Sequence, residues 1–206
     1  GYSSKPIVEL NGTNAGKDNA GLILSAGSNG SIIQGLIINN FNFSGIYVEN
    51  INGLTVLSNY IGTTPDGTTA ASNHFHGIHI DGASNVKVGD ASIAGRNVIS
   101  GNIDHGISTA NNASNITILG NYIGINAAGN DKLPNWGSGV NVDYVTNMQI
   151  GDGTANGRNV IASNLRSAIY VEPITGAVDT VKIDMNYLGT NAAGTASLSN
   201  GGTLPQ

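Results

Sequence analysis

Asn121-Tyr122-Ile123-Gly124 decides the fold, because the chain spells it three times. Asn59-Tyr60-Ile61-Gly62 precedes it by 62 residues, and Asn186-Tyr187-Leu188-Gly189 follows it by 65. Between these copies, Gly95-Arg96-Asn97-Val98-Ile99 returns as Gly157-Arg158-Asn159-Val160-Ile161. Repetition of this kind is the mark of an array of stacked units, each too small to bury its own apolar face.

Working outward, each long unit divides into two coils. Coil starts read Gly21-Leu22-Ile23-Leu24, Gly45-Ile46-Tyr47-Val48, Gly77-Ile78-His79-Ile80, Gly106-Ile107-Ser108, Gly139-Val140-Asn141-Val142 and Ala168-Ile169-Tyr170-Val171; after the first step they are spaced 32, 29, 33 and 29 residues apart. A second set of short alternating segments follows, among them Leu54-Thr55-Val56, Ile116-Thr117-Ile118 and Val181-Lys182-Ile183. The Asn-Tyr-Ile and Asn-Val-Ile segments make a third set. Each segment alternates apolar and polar residues, which predicts strands with one buried face and one wet face. None has a hairpin partner beside it; each has a near-copy about 30 residues on, the step that coil stacking requires. The expectation is an all-β, right-handed parallel β-helix of about six coils with three strands per coil. An N-terminal arm and first strand would occupy residues 1–20, the β-helix 21–200 and a tail 201–206.

Composition agrees. Of 206 residues only 10% are charged and 5% aromatic, while 30 are Gly. The formal charge is −5, with eight Lys and Arg in total, which argues against a phosphate-tracking surface. No run approaches the ~18 apolar residues of a membrane span, so neither nucleic acid nor a membrane span is expected. There is no Cys, hence no disulfide framework and no thiolate chemistry.

The third strands begin with Asn59, Asn97, Asn121, Asn159 and Asn186, which predicts a ladder of stacked amides at one corner. Leu36 holds that position one coil earlier, so the ladder starts after it. Asn85, Asn115 and Asn147 form a second, partial column. Long loops follow alternate third strands from Thr63, Ile125 and Thr190; they share Gly67, Gly129 and Gly194, and Asn73, Asn135 and Asn200. The intervening coils bulge at Gly89–Gly95 and Gly151–Gly157, where Asp90 and Asp152 suit Asx-turns.

These segments resemble the right-handed β-helix repeats of the pectate-lyase-like superfamily, as found in large secreted bacterial surface proteins. The resemblance covers roughly Gly21 to Asn200. It implies the fold and an extracellular or cell-surface setting. It leaves function open, because the superfamily includes lyases, hydrolases, tailspikes, adhesins and non-catalytic fibre segments. The superfamily's calcium-and-arginine lyase arrangement is not recognisable here.

Coil register places Tyr47, His79, Ser108, Asn141 and Tyr170 in one outward column, and Glu49, Asp81, Ala110, Asp143 and Glu172 in another. Adjacent carboxylates about 4.8 Å apart suit a solvated acidic stripe, a bridging Ca²⁺ or a carbohydrate-cleaving pair. No Lys or Arg is expected beside them, since Lys87 and Lys182 lie on the second strands. His76 and His105 precede successive start glycines and should stack, with Asp104 near; neutral imidazoles suit Zn²⁺ or acid–base work, and a corner that tolerates Ser or His suits them equally. Trp136, in a long loop, suits either sugar stacking or cover for the coil edge.

The leading expectation is therefore a non-catalytic extracellular structural segment of a fibre, sheath or adhesin, without cofactor. Its partners would be neighbouring β-helix segments or other copies stacked end to end, with residues 1–10 added to an adjoining subunit. The alternative is a carbohydrate-active or glycan-binding β-helix using the outer acidic face. A groove lined by carboxylates with a basic or aromatic partner would favour the second.

Overall fold

The computed structural model describes residues 5–172 and 179–202. It is an all-β parallel solenoid of about six coils, three strands to a coil, with no helix among the described residues. Sheet 1 stacks Leu22–Leu24, Ile46–Glu49, Ile78–Asp81, Ile107–Ala110, Val140–Asp143 and Ile169–Glu172. Sheet 2 stacks Ser31–Gln34, Asn52–Leu57, Ser84–Val88, Ala113–Ile118, Val145–Ile150 and Asp179–Ile183. Sheet 3 stacks Val8–Asn11, Leu36–Asn39, Tyr60–Ile61, Val98–Ile99, Tyr122–Ile123, Val160–Ile161 and Tyr187–Leu188. Every strand pairing is parallel and joins like positions of successive coils, as in Ile78↔Ile107 and Ile116↔Met148. One column of aliphatics fills the interior, with Ile46, Ile78, Ile107 and Val140 stacked at no measurable exposure.

Polar corners lock the coils together. Asn97 Nδ2 donates to Val56 O of the coil before (2.8 Å) and to Asn121 Oδ1 of the coil after (2.8 Å), while its own Oδ1 accepts from Asn59 N–H and Nδ2. The same pattern runs from Asn59 to Asn186, and Leu36 N–H donates to Asn59 Oδ1 at its start. The ladder expected from the sequence is thus present.

A second buried ladder stands at the corner between sheets 3 and 1. Asn73, Asn102, Asn135, Asn164 and Asn200 are joined Nδ2 to Oδ1 at 2.9–3.1 Å. Each of the first four also gives Nδ2 to a sheet 3 carbonyl, such as Ile38 O or Ile99 O. The loop asparagines noticed in the sequence are alternate rungs of this ladder. Asn85, Asn115 and Asn147 differ in kind: they are exposed corner residues with φ of 54–57°, a left-handed turn that Asn tolerates. Asn147 donates to Asn115 at 2.7 Å, whereas Asn85 turns to Asn52.

The expected wet outer face holds for sheet 2 and for much of sheet 1, where Ser108 is the buried exception, and fails for sheet 3. Tyr60 and Tyr122 point outward yet are only 9% and 8% exposed, because the long loops fold down over them. Gly67 and Gly129 sit on these rings: a Cβ there would lie 2.8 Å from Tyr60 and Tyr122 respectively. Ala127 N–H donates to Gly67 O and Ala192 N–H to Gly129 O, so loops of alternate coils stack on one another. Arg96 and Arg158 cover Tyr122 and Tyr187 with their guanidinium groups 4.1 Å from each ring centre. The loops are therefore part of a second apolar cluster, not free surface.

The bulges form the expected Asx-turns, with Ser92 N–H and Thr154 N–H donating to Asp90 and Asp152. At the N-terminal side, Val8–Asn11 pairs with Leu36–Asn39 of its own chain as the end strand of sheet 3; residues 1–4 lie outside the described residues. Gly201 N–H is tied to Asn164 O and Arg166 O, and residues 203–206 of the expected tail lie outside the described residues.

Candidate functional site

The outer face of sheet 1 carries the polar and aromatic side chains that packing does not consume. Its register brings together Tyr47, His79, Ser108, Asn141 and Tyr170 as expected. Glu49 pairs with Asp81 and Asp143 with Glu172. The acidic column is split between these pairs, where Ala110 stands and the Thr109 hydroxyl accepts from Asp143 N–H and donates to Asp143 O, both at 3.0 Å.

The two halves differ. Around Glu49 and Asp81 the surface is closed by rings. Tyr47 stacks on His79 (5.4 Å between centres), His79 on His76 (4.9 Å) and His76 on His105 (5.3 Å). Phe75 packs on His76 at 3.8 Å and Phe43 stacks on Phe75 at 5.2 Å. Asp81 is held by the Tyr47 hydroxyl (3.0 Å) and Asn111 Nδ2 (2.6 Å). Burial, then the bond to Asp81, pushes the Tyr47 phenol up to about 12, so it stays protonated and donates to Asp81. Asp104 lies between His76 and His105 at 3.6 and 3.5 Å. The stacking of His76 on His105 with Asp104 near is as the sequence predicts.

Around Asp143 and Glu172 the surface is open. A cleft of about 470 Å³ is lined by His105, Ser138, Asn141, Arg166, Ser167, Tyr170 and Glu172. A shallower hollow of about 380 Å³ adjoins it, lined by Ile103, Asp104, Trp136, Leu165, Arg166 and Gly202. Gly137 keeps this region low, since a Cβ there would meet His105 Nδ1 at 2.6 Å and Asp104 Oδ1 at 2.7 Å. Tyr170, in the cleft, and Trp136, in the hollow, are 43% and 45% exposed, and Arg166 lines both. Burial, then the charge of Glu172, pushes the Asp143 carboxyl up, and its Oδ1 is buried without a hydrogen bond.

Arg166 corrects the expectation that no basic side chain lies near the carboxylates. It projects from the corner two residues before the sheet 1 start, where Phe43, Phe75, Asp104 and Gly137 stand in earlier coils. Counting back from the start residues, rather than forward only, would have found it. Lys182 lies elsewhere, paired with Asp184 at 3.4 Å. Among the described residues, no three His, Asp or Glu side chains converge on a point that could hold a metal ion. Comparison with known protein families and with curated proteins finds no match.

Proposed function

We propose that this chain is a rigid, non-catalytic β-helical segment of an extracellular surface structure, a fibre, sheath or adhesin, and that it presents a glycan-binding cleft on the outer face of sheet 1. The observation that carries the reading is the cleft beside Arg166. The exposed Tyr170 lines it together with Arg166, Glu172, Asn141, Ser138 and Ser167, and the exposed Trp136 lines the adjoining hollow, which shares Arg166. Sugars take this mixture: apolar ring faces for their C–H surfaces and planar polar groups for their hydroxyls. All of it projects from coils fixed by two amide ladders, so the site is held before a ligand arrives. The likeness of the repeats to pectate-lyase-like β-helices and the Asn- and Thr-rich, Cys-free composition support a secreted setting.

The test is a glycan array followed by calorimetric titration of the best ligand. Tyr170→Ala and Arg166→Ala should each weaken binding tenfold or more, corresponding to about 1.4 kcal/mol. Ser92→Ala, in a bulge away from the cleft, should leave affinity unchanged. No binding on the array, or binding indifferent to both cleft variants, removes the cleft from the proposal. Stacking with neighbouring β-helix segments or other copies is the second element, and light scattering with electron microscopy tests it for copies of this chain.

Cleavage is a second reading, favoured by the Asp143 carboxyl, which burial and then the charge of Glu172 push above the ordinary carboxylate range. Such a pair suits a general acid beside a second carboxylate. Reducing-end release from a bound glycan, abolished by Asp143→Asn, would establish it; an intact glycan after prolonged incubation would remove it.

A further inference from the structure

His76, His79 and His105 form a stacked row of imidazoles, His76 buried and the other two half-buried, that the ladders do not explain. Ser occupies the His76 and His105 column in the neighbouring coils, at Ser44, Ser138 and Ser167, so the stack does not need His there. His76 is only 4% exposed, and neither its Nδ1 nor that of His79 has a hydrogen-bond partner. His105 Nδ1 accepts the Ser138 N–H at 2.8 Å. That bond requires a bare nitrogen, so a doubly protonated His105 must give it up.

We propose that this column is an acid-sensitive latch: with neutral rings it closes the corner between the long loop and sheet 1 over coils that start at Gly45, Gly77 and Gly106, and acidification charges the rings and opens that corner while the rest of the stack stays folded. Geometry sets the limit on charge. One imidazolium has Asp104 to face, from the coil that follows His76. Asp81 lies on the strand of His79 but is already engaged by Tyr47 and Asn111, Glu49 lies in the coil before, and Arg166 approaches His105 with charge of the same sign. A second and third charge would lie on rings stacked 4.9 and 5.3 Å apart, with His76 at the centre, buried against Phe75. Burial, the largest cause in each case, pushes all three rings down, His76 to about 2. Among the described residues, the two ladders at the corners of the other coils are made of amides, which do not titrate.

His105 also lines the cleft, so opening the latch would reshape that wall. The latch itself does not depend on what the cleft binds.

The experiment is an NMR titration of the histidine rings from pH 7.5 to 5.0, with amide exchange followed in the same samples. The amides of Ser138, bonded to His105 Nδ1, and Gly77, bonded to His105 O, should lose protection at least about tenfold per pH unit once one proton is taken up on opening. The Tyr122 amide, bonded to Asn97 O, should keep its protection. His76→Ser, His79→Asn and His105→Ser, combined, place in each column a residue it already carries, and should abolish the loss. Rings that titrate near 6.5 with protection unchanged would overturn the latch, as would the same pH response in the triple variant. The wild-type titration decides alone if the variant does not fold.

Discussion

Asn121 shows at residue scale how an amide replaces packing at a corner. Its Nδ2 reaches Val88 O at 2.8 Å and Asn159 Oδ1 at 3.1 Å, and its Oδ1 accepts from Asn97 Nδ2 at 2.8 Å. Asn121→Ala leaves the buried Asn97 backbone N–H without a partner, while Val88 O keeps the Leu119 N–H, and one such orphan costs about 1–3 kcal/mol. Chemical denaturation should therefore show a loss of about 1–3 kcal/mol, and Asn147→Gly, which removes one exposed bond at a left-handed position that Gly adopts freely, a change within about 0.5 kcal/mol. Equal losses would show that the ladder is incidental. The imidazoles bear on stability through pH. With native values pushed below the ordinary 6.5, the unfolded chain binds more protons than the native one once pH falls below 6.5. Stability is thus level above that pH and falls beneath it, by up to about 1.4 kcal/mol per pH unit for each ring that stays neutral. Thermal melts at pH 7.5 and 5.0 check the sign, and the triple histidine variant should flatten the slope. The first ladder was legible because its asparagines begin a repeated word. Asn102 and Asn164 of the second were not, because alternate coils reach that corner through loops of different length; the constant spacing runs backward from the next start residue.

At the scale of the element, the sheet 1 start column explains a residue type that pattern alone marks only as a turn. A Cβ on Gly106 would lie 2.7 Å from Gly139 O of the next coil, 2.8 Å from Ile123 Cγ2 and 3.0 Å from Asn135 Nδ2. Gly45, Gly77 and Gly139 meet the same three kinds of atom. The column is glycine because successive backbones approach too closely for anything larger. Gly106→Ala should cost about 2–3 kcal/mol through overpacking against backbone that cannot yield. Ala168, the sixth member, has no further described coil stacked on it, so Ala168→Gly should cost under about 1 kcal/mol, the backbone-entropy difference alone. A pair of melts decides it, and a tolerated Gly106→Ala would refute the close approach. The strands themselves were legible down to register because their alternation has period two. The cover on sheet 3 was not: Tyr122 reads as an exposed outward residue until the loop 62 residues earlier is known to stack with its own. Its trace in the sequence is the joint recurrence of Tyr, the loop Gly and the Arg of the preceding coil.

The whole molecule behaves as a one-dimensional stack, in which a residue's worth depends on whether a coil lies on each side of it. Ile150 and Ile183 are register partners on adjacent coils of sheet 2. Ile150 has no measurable exposure, whereas Ile183 is 46% exposed, and Val171 and Leu188 of the same coil are 37% and 48% exposed where Val142 and Ile161 are fully buried. Ile150→Ala should cost about 2–5 kcal/mol, with cavity formation added to lost burial. Ile183→Ala, the same chemistry one coil on, should cost under about 1 kcal/mol in the isolated monomer, because half of that side chain is never removed from water. The comparison also reads assembly. If copies of this chain stack end to end on that coil, Ile183 becomes an interior residue, and the cost of truncating it rises with protein concentration by mass action. Denaturation of both variants across a hundredfold range of concentration, with light scattering on the same samples, separates the cases. A cost for Ile183→Ala that stays small and constant, with a monomeric mass throughout, removes self-stacking from the proposed function and leaves a segment that meets only other partners.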